Sequence, residues 1–165
     1  MSTIYLSVEC NYDPGYYTGV ERWGEYSIQE SRFSPYAIPS GPIHSAVVKF
    51  KEDFESKWGA SPTTMAASSY EGVYIAAEAA KNAGTLDKEK IRDSLAKIEI
   101  PQIVELMQDS VITFSQDYRE SKFELYMQQL IWNETAGETR PKIVCPESVK
   151  ETDFVLPDWY EPGST

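Results

Sequence analysis

The spacing of apolar residues predicts a helix that begins near Pro42. Apolar side chains recur at intervals of three and four residues from Val47 to Trp58, which is the spacing of one helix face. Pro42 suits the first turn of a helix, and Gly59 stands where helices commonly end in a left-handed residue. The whole stretch of residues 42–100 has this helical character.

Two more helices follow in the same stretch. The second opens at residues 61–63 and ends at Gly84, with an inward stripe predicted at Ala66, Tyr70, Val73, Ala77 and Ala80. The third is capped by Asp87, and Pro101 marks its end. Its inward residues are predicted to be Ile91, Leu95 and Ile98. Because the second stripe consists mainly of alanine, this helix can approach a neighbouring element closely.

Strand patterns flank the helices on both sides. Residues 2–7 alternate like a strand, and an irregular, aromatic stretch follows that hints at a second short strand over residues 25–29. After the helices, strands are predicted at residues 111–114, 123–132 and 142–145. The order predicts a mixed α/β or α+β domain. Of these we expect the α/β class, in which helices pack on a mixed sheet and a C-terminal β meander follows.

Charge excludes several classes of partner. The 165 residues contain 26 Asp and Glu against 15 Lys and Arg, a net charge of −11, with no basic run. Nucleic-acid binding normally needs a basic face, so no nucleic acid is expected as a partner. The most apolar stretch is too short and too polar to span a bilayer. Met1 does not begin a signal peptide, so export would need a leader removed or encoded upstream.

The inventory of reactive residues argues against an enzyme. His44 is the only histidine, whereas a catalytic triad or a histidine-ligated metal needs further well-placed partners. We therefore expect no catalytic residue, no metal site and no cofactor. Cys10 and Cys145 lie too far apart in sequence for a zinc or thioredoxin motif; separate thiols are favoured, and a disulfide between strand ends is the alternative.

The entry of the second helix is the best candidate for a binding site. Ser68 and Ser69 precede Tyr70 there, and a helix start offers free backbone N–H groups that suit a carboxylate or carbonyl oxygen. Tyr70 would add a flat apolar wall with a polar tip. The same residues also fit a simple packing stripe, so the pattern alone leaves both interpretations open.

At this segment the chain resembles a known family. The resemblance covers nearly the whole chain and is carried by a string of moderate motifs: Lys57-Trp58-Gly59, Ser69-Tyr70-Glu71-Gly72, Ala76-Ala77-Glu78-Ala79-Ala80, Ala83-Gly84-Thr85-Leu86-Asp87 and Ile91-Arg92-Asp93-Ser94-Leu95. These look like the C-terminal part of periplasmic substrate-binding proteins of the leucine/isoleucine/valine-binding type, which includes amide and urea receptors of ABC transporters. One departure is that no glycine lies between Thr85 and Ala136, where the family usually carries two. Ser110 and the Asp117-Tyr118 turn stand in their places, and we expect a reshaped hairpin there.

The resemblance implies a partial type I periplasmic-binding-protein fold. Residues 1–165 would be the C-terminal portion of a two-lobed protein, with residues 42–100 as the helical part of one lobe. Residues 1–41 and 101–165 would belong mainly to the other lobe and the hinge. The N-terminal lobe would then be lacking, which would leave sheet edges open and favour self-association.

The implied function is solute capture for an ABC importer. The solute would be a branched-chain amino acid, a short amide or urea, and the protein partner would be the membrane permease of the transporter. The protein itself would be located in the periplasm or outside the cell. Ligand contacts are expected first from Tyr70, then from Ser69 and Glu71, with Trp23 and Tyr26 on the opposite wall. A ligand sensor with the same fold is the alternative, which neighbouring genes would distinguish; an interaction domain without a ligand is a third.

Overall fold

A computed structural model describes residues 6–7 and 14–160 of the chain. It contains four α-helices and six strands among these residues, besides two short 3-10 helices. The helices are α1 (Pro14–Val20), α2 (His44–Trp58), α3 (Thr64–Ala83) and α4 (Lys88–Leu95). The strands are β1 (Leu6–Ser7), β2 (Ile28–Ser31), β3 (Glu99–Pro101), β4 (Val111–Thr113), β5 (Tyr126–Asn133) and β6 (Glu138–Cys145).

The strands form one mixed sheet and one separate ribbon. The sheet has the order β1-β2-β5-β6, in which β1 runs parallel to β2 and the other pairs are antiparallel. The ribbon joins β3 to β4, with Ile100 opposite Ile112. The predicted α/β class with a mixed sheet is confirmed, although the C-terminal strands divide between two sheets instead of forming a single meander.

The ends of α2 and α3 and the starts of α3 and α4 agree with the sequence signals. Gly59 and Gly84 end α2 and α3 with φ values of 68° and 64°, the left-handed conformation that glycine adopts without strain. Thr63 caps α3 by accepting the Ala66 N–H at 3.2 Å, and Asp87 caps α4 by accepting the Lys90 N–H at 3.0 Å. The predicted start of α2 at Pro42 is two residues early, since the helix begins at His44. The predicted end of the third helix at Pro101 is wrong, because α4 ends at Leu95 and residues 99–101 form strand β3.

The prediction of an irregular stretch after the first strand is wrong over residues 14–20, which form α1. The buried ring of Tyr17 attaches this helix to the sheet: the Gln128 side-chain amide donates to the Tyr17 hydroxyl at 3.2 Å and to Gln29 Oε1 at 3.1 Å. Burial raises the pKa of Tyr17 above its ordinary value, so its hydroxyl stays neutral in this polar layer. The remainder of the predicted strand over residues 2–7, and Cys10, lie outside the described residues. Cys145 is an exposed free thiol.

The predicted inward stripe of α3 is wrong. Tyr70 and Val73 are exposed, whereas the buried face carries Thr64, Ala67, Glu71 and Ala79. The helix has small apolar side chains on several faces, so spacing alone does not decide which face is buried. The structure selects the face whose charged member, Glu71, finds hydrogen-bond partners in the loop that follows β3.

The core lies between α2, the first turn of α3 and the sheet. Phe33 and Phe50 meet edge to face with ring centroids 5.6 Å apart. Val104, Tyr126 and Ile143 close the same cluster from the loop after β3 and from strands β5 and β6. This packing fixes the first turn of α3 next to the end of β2, where Thr64 donates its hydroxyl to the Phe33 carbonyl. The prediction that Ser68, Ser69 and Tyr70 stand at the helix start is wrong, because α3 begins at Thr64 and the free backbone N–H groups belong to its first turn.

Turns that lack glycine are built from left-handed non-glycine residues. Asp109 and Ser110 both have φ values of 60°, and Arg119 has a φ of 58°. Met107 and Phe123 form an isolated antiparallel bridge. The strand predicted over residues 123–132 begins at Tyr126, three residues later than expected. Ser110, which stands in the place of one missing glycine, is among these left-handed residues, and the reshaped hairpin itself stays a prediction. Among the described helices, none has the length and apolar composition that a membrane crossing requires.

Candidate functional site

Three sequence-predicted site residues lie together in the first half of α3. Ser69, Tyr70 and Glu71 are consecutive, and each helical residue turns by about 100° from the one before, since there are about 3.6 residues per turn. Ser69 and Tyr70 consequently face outward, while Glu71 faces the protein interior. The segment presents a hydroxyl and an aromatic ring to the surface and a carboxylate to the loop beneath it.

Tyr70 lies on an aromatic platform. Its ring centroid is 4.7 Å from that of Phe50 and 4.8 Å from that of Tyr74, and 36% of the residue remains exposed. The Tyr70 hydroxyl donates to the Tyr74 hydroxyl at 3.1 Å. This hydrogen bond, together with burial, raises the pKa of Tyr70 to about 12. The platform is therefore neutral at physiological pH, apolar across its rings and able to hydrogen-bond at its rim.

Glu71 holds the loop that follows β3 against the helix. It is 2% exposed, and its Oε1 accepts the backbone N–H groups of Val104 and Glu105, each at 2.7 Å. Burial raises the pKa of Glu71 above its ordinary value of 4.5, and the two backbone donors act in the opposite direction. Glu71 therefore shapes the site from the buried side of α3 and has too little exposed surface to contact a solute.

A buried ion pair lies next to Glu71. Arg32 Nε is 3.0 Å from Glu105 Oε1, and Ser68 donates its hydroxyl to the same oxygen at 2.7 Å. The Arg32 guanidinium also lies over the Phe123 ring, 4.7 Å from its centroid. Sequence analysis missed Arg32 and Glu105. The available signal was weak: Glu105 stands between Val104 and Leu106, so it is a carboxylate flanked by apolar residues.

Trp23 and Tyr26 lie at the other end of β2 from Tyr70. Trp23 is 93% exposed in a short 3-10 turn, and the Tyr26 N–H donates to the Leu130 carbonyl at 2.9 Å. Tyr70 packs on Phe50, which contacts Phe33 just beyond the opposite end of the strand. The four residues of β2 span about 13 Å at 3.3 Å per residue, so the described structure does not bring the two groups into one pocket.

The other reactive residues do not assemble into a centre. His44 lies at the start of α2, where its Nδ1 is 3.1 Å from the Pro39 carbonyl oxygen. In the part of the chain that the structure describes, no three His, Cys, Asp or Glu side chains cluster in a way that could hold a metal ion.

No family model matches the chain, and no curated protein matches it either. Solved structures do match. A leucine binding protein from Thermotoga maritima superposes with a TM-score of 0.65 at 18% identity, covering 90% of this chain and 39% of its own. A putative branched-chain amino acid ABC transporter protein from Rhodospirillum rubrum has a TM-score of 0.61 at 24% identity, covering 86% of this chain and 37% of its own.

A third structure gives the same result. The leucine-, isoleucine-, valine-, threonine- and alanine-binding protein from Brucella ovis, in its closed conformation, has a TM-score of 0.63 at 19% identity. The match covers 84% of this chain and 35% of the Brucella ovis protein. The chain thus spans 35–39% of the length of each of these three proteins. Resemblance of sequence and resemblance of structure agree: the chain has the fold of part of a leucine/isoleucine/valine-binding-type periplasmic substrate-binding protein.

Proposed function

We propose that the chain is the C-terminal part of the solute-binding component of an ABC importer. The observation that carries this proposal is the match of 84–90% of the chain to three structures whose names describe leucine or branched-chain amino acid binding or transport. The mechanism would be capture without chemistry: a solute closes two lobes about a hinge, and the closed form docks on a permease. The protein would act in the periplasm or outside the cell.

The platform around Tyr70 supports a small solute with both apolar and hydrogen-bonding parts. Its rings suit the side chain of a branched-chain amino acid, and its hydroxyls suit the N–H groups of a short amide or urea. Ser69 adds a further exposed hydroxyl, one residue before Tyr70 on the helix. We propose Ser69 and Tyr70 as direct contacts and Glu71 as their support. Trp23 and Tyr26 would belong to a separate wall that a lobe movement would have to bring closer.

The exposed side of α3 also supports contact with a second copy. Val73 is 69% exposed and Tyr74 is half-exposed, next to the rings of the platform. The outer edge of β6 is partly covered instead, because the N–H groups of Glu151 and Thr152 donate to the Ile143 carbonyl. We therefore place the proposed self-association on the helix and not on that sheet edge.

A solute panel tests the importer proposal. Saturation-transfer NMR on the whole chain with leucine, valine, acetamide and urea should detect saturable binding of at least one member, and none of glucose. Because one wall encloses a solute incompletely, we expect a dissociation constant no stronger than about 1 mM, or roughly −4 kcal/mol. Equal signals from glucose, or no signal from any of the four solutes, would contradict the proposed function; a micromolar constant would contradict the single wall.

A further inference from the structure

A pocket lies between the end of α4 and the loop that follows β4. Its volume is about 390 Å³, within the range of small-molecule sites. Leu95 and Phe114 supply apolar walls, and Arg92, Ser115 and Arg119 supply polar groups. Thirteen helical residues separate Tyr70 from the end of α3, about 20 Å at 1.5 Å per residue. The pocket is therefore separate from the aromatic platform around Tyr70.

The loop that carries Arg119 is held in a defined shape. The Ser115 N–H donates to the Glu120 carbonyl and the Arg119 N–H to the Ser115 carbonyl, each at 2.9 Å. The side chain of Gln116 donates to the Ala96 carbonyl at 2.8 Å, which ties the loop to the end of α4. Arg119 itself has a φ of 58°, a conformation that costs free energy for a side chain of this size. These bonds preorganise the pocket before any ligand arrives.

The charges in the pocket leave one guanidinium available. Arg92 is neutralised by Asp93, whose Oδ1 accepts from its Nε at 2.9 Å and from its Nη2 at 2.6 Å. No acidic side chain of residues 6–7 and 14–160 lies within ion-pair distance of Arg119. In a chain with a net charge of −11, a guanidinium without an acidic partner at a pocket is unexpected. The pocket as a whole carries one net positive charge.

The hydroxyl of Ser115 adds a second donor. Its Oγ accepts the Tyr118 N–H at 3.2 Å, so its own proton is free to point elsewhere. The carbonyls at the end of α4, which would repel an anion, are partly occupied: those of Arg92 and Ser94 accept backbone N–H groups, and that of Ala96 accepts from Gln116. A single negative charge can therefore be accommodated beside the helix end.

We propose that this pocket binds a small organic monocarboxylate with an apolar body. The Arg119 guanidinium would bind the carboxylate as a fork, the Ser115 hydroxyl would donate to it, and the hydrocarbon would lie against Leu95 and Phe114. The single net charge suits a monocarboxylate better than a phosphate dianion. The site goes beyond the proposed importer function, because it lies on α4 and the loop after β4 and not on the platform around Tyr70.

Amide-resolved NMR on the whole chain, with hexanoate as the probe, tests this site. Saturable shifts are expected at Leu95, Ser115, Gln116 and Arg119, with hexanol and hexylamine binding at least about tenfold more weakly because neither offers a carboxylate to Arg119. Shifts of equal size with hexanol, or no saturable shift with hexanoate, would overturn the proposal.

Two variants separate the guanidinium from general charge effects. Arg119→Asn should weaken hexanoate binding about tenfold or more without altering the loop, because Asn tolerates the left-handed conformation. Arg22→Gln removes an exposed guanidinium that pairs with Glu134 at the far hairpin and should leave the affinity unchanged. The proposal fails if Arg119→Asn retains the wild-type affinity, or if Arg22→Gln weakens binding equally.

Discussion

Replacement of Glu71 by Ala is expected to lower the free energy of unfolding by about 3–5 kcal/mol. The variant leaves the backbone N–H groups of Val104 and Glu105 without their acceptor, and each buried unpaired donor costs about 1–3 kcal/mol. The vacated space beneath α3 adds to this cost. Urea unfolding followed by circular dichroism measures the change.

The matched control is Glu78→Ala on the same helix. Glu78 pairs with Lys81 at 3.2 Å near the surface, so its loss should cost no more than about 1 kcal/mol. Equal costs for the two variants would show that Glu71 does not hold the loop, and would remove the basis for its assigned structural role.

The pH dependence of stability gives Glu71 a distinct signature. Burial raises the pKa of Glu71 in the folded state above 4.5, so protonation of this carboxyl contributes to the stability of the fold. The whole of this contribution is present below pH 4.5. That contribution is lost as pH rises from 4.5 through the raised pKa. Glu71→Gln keeps an acceptor for the two N–H groups and does not titrate, so its stability relative to wild type should increase over this window. A difference that stays constant between pH 4.5 and 8 would contradict the assigned shift.

The second large effect expected is self-association through α3. Sedimentation at tens of micromolar should give a dimer or larger species, because Val73 and Tyr74 expose apolar surface beside the Tyr70 platform. The net charge of −11 opposes contact between copies, so association should strengthen as salt screens the repulsion. Val73→Glu adds a charge at the centre of this face and should weaken association about tenfold or more.

Thr135→Glu provides the matched control, since it makes the same change of charge at the exposed turn between β5 and β6. It should raise the overall repulsion slightly and leave a dimer in place. A wild-type chain that stays monomeric at these concentrations, or a dimer that Val73→Glu does not disturb, would exclude pairing through this face.

Local signals in the sequence predicted α2, α3 and α4, although not α1, because such signals act within a few residues. Gly59, Gly84 and Asp87 determine helix ends through their own backbone conformations or side chains, so neighbouring structure is not needed to interpret them. Strand β3 escaped prediction because three residues carry no measurable alternation, and its pairing with β4 is a tertiary event. The orientation of α3 escaped for a similar reason, since alanine is compatible with either face.

The candidate site, too, could be predicted only in part from local sequence. Adjacent hydroxyl and aromatic residues directed attention to Ser69 and Tyr70, and both are exposed on the first half of α3. The partners that position them come from distant parts of the chain: Phe50 from α2, and Val104 and Glu105 from the loop after β3. No local pattern encodes these contacts. The separation of Trp23 and Tyr26 from Tyr70 likewise depends on the path of β2, which places them at opposite ends of that strand.

Amide-resolved NMR titration with leucine and with acetamide, on wild type and Tyr70→Ala, tests most directly whether the exposed half of α3 binds solute. We expect saturable shifts centred on Ser69 and Tyr70 with at least one of the two probes, and a loss of binding of about 1–2 kcal/mol in the variant. Tyr118→Ala, which removes an exposed ring elsewhere, should bind as wild type does. Shifts that bypass Ser69 and Tyr70, or an affinity that Tyr70→Ala leaves unchanged, would contradict a solute site on this helix.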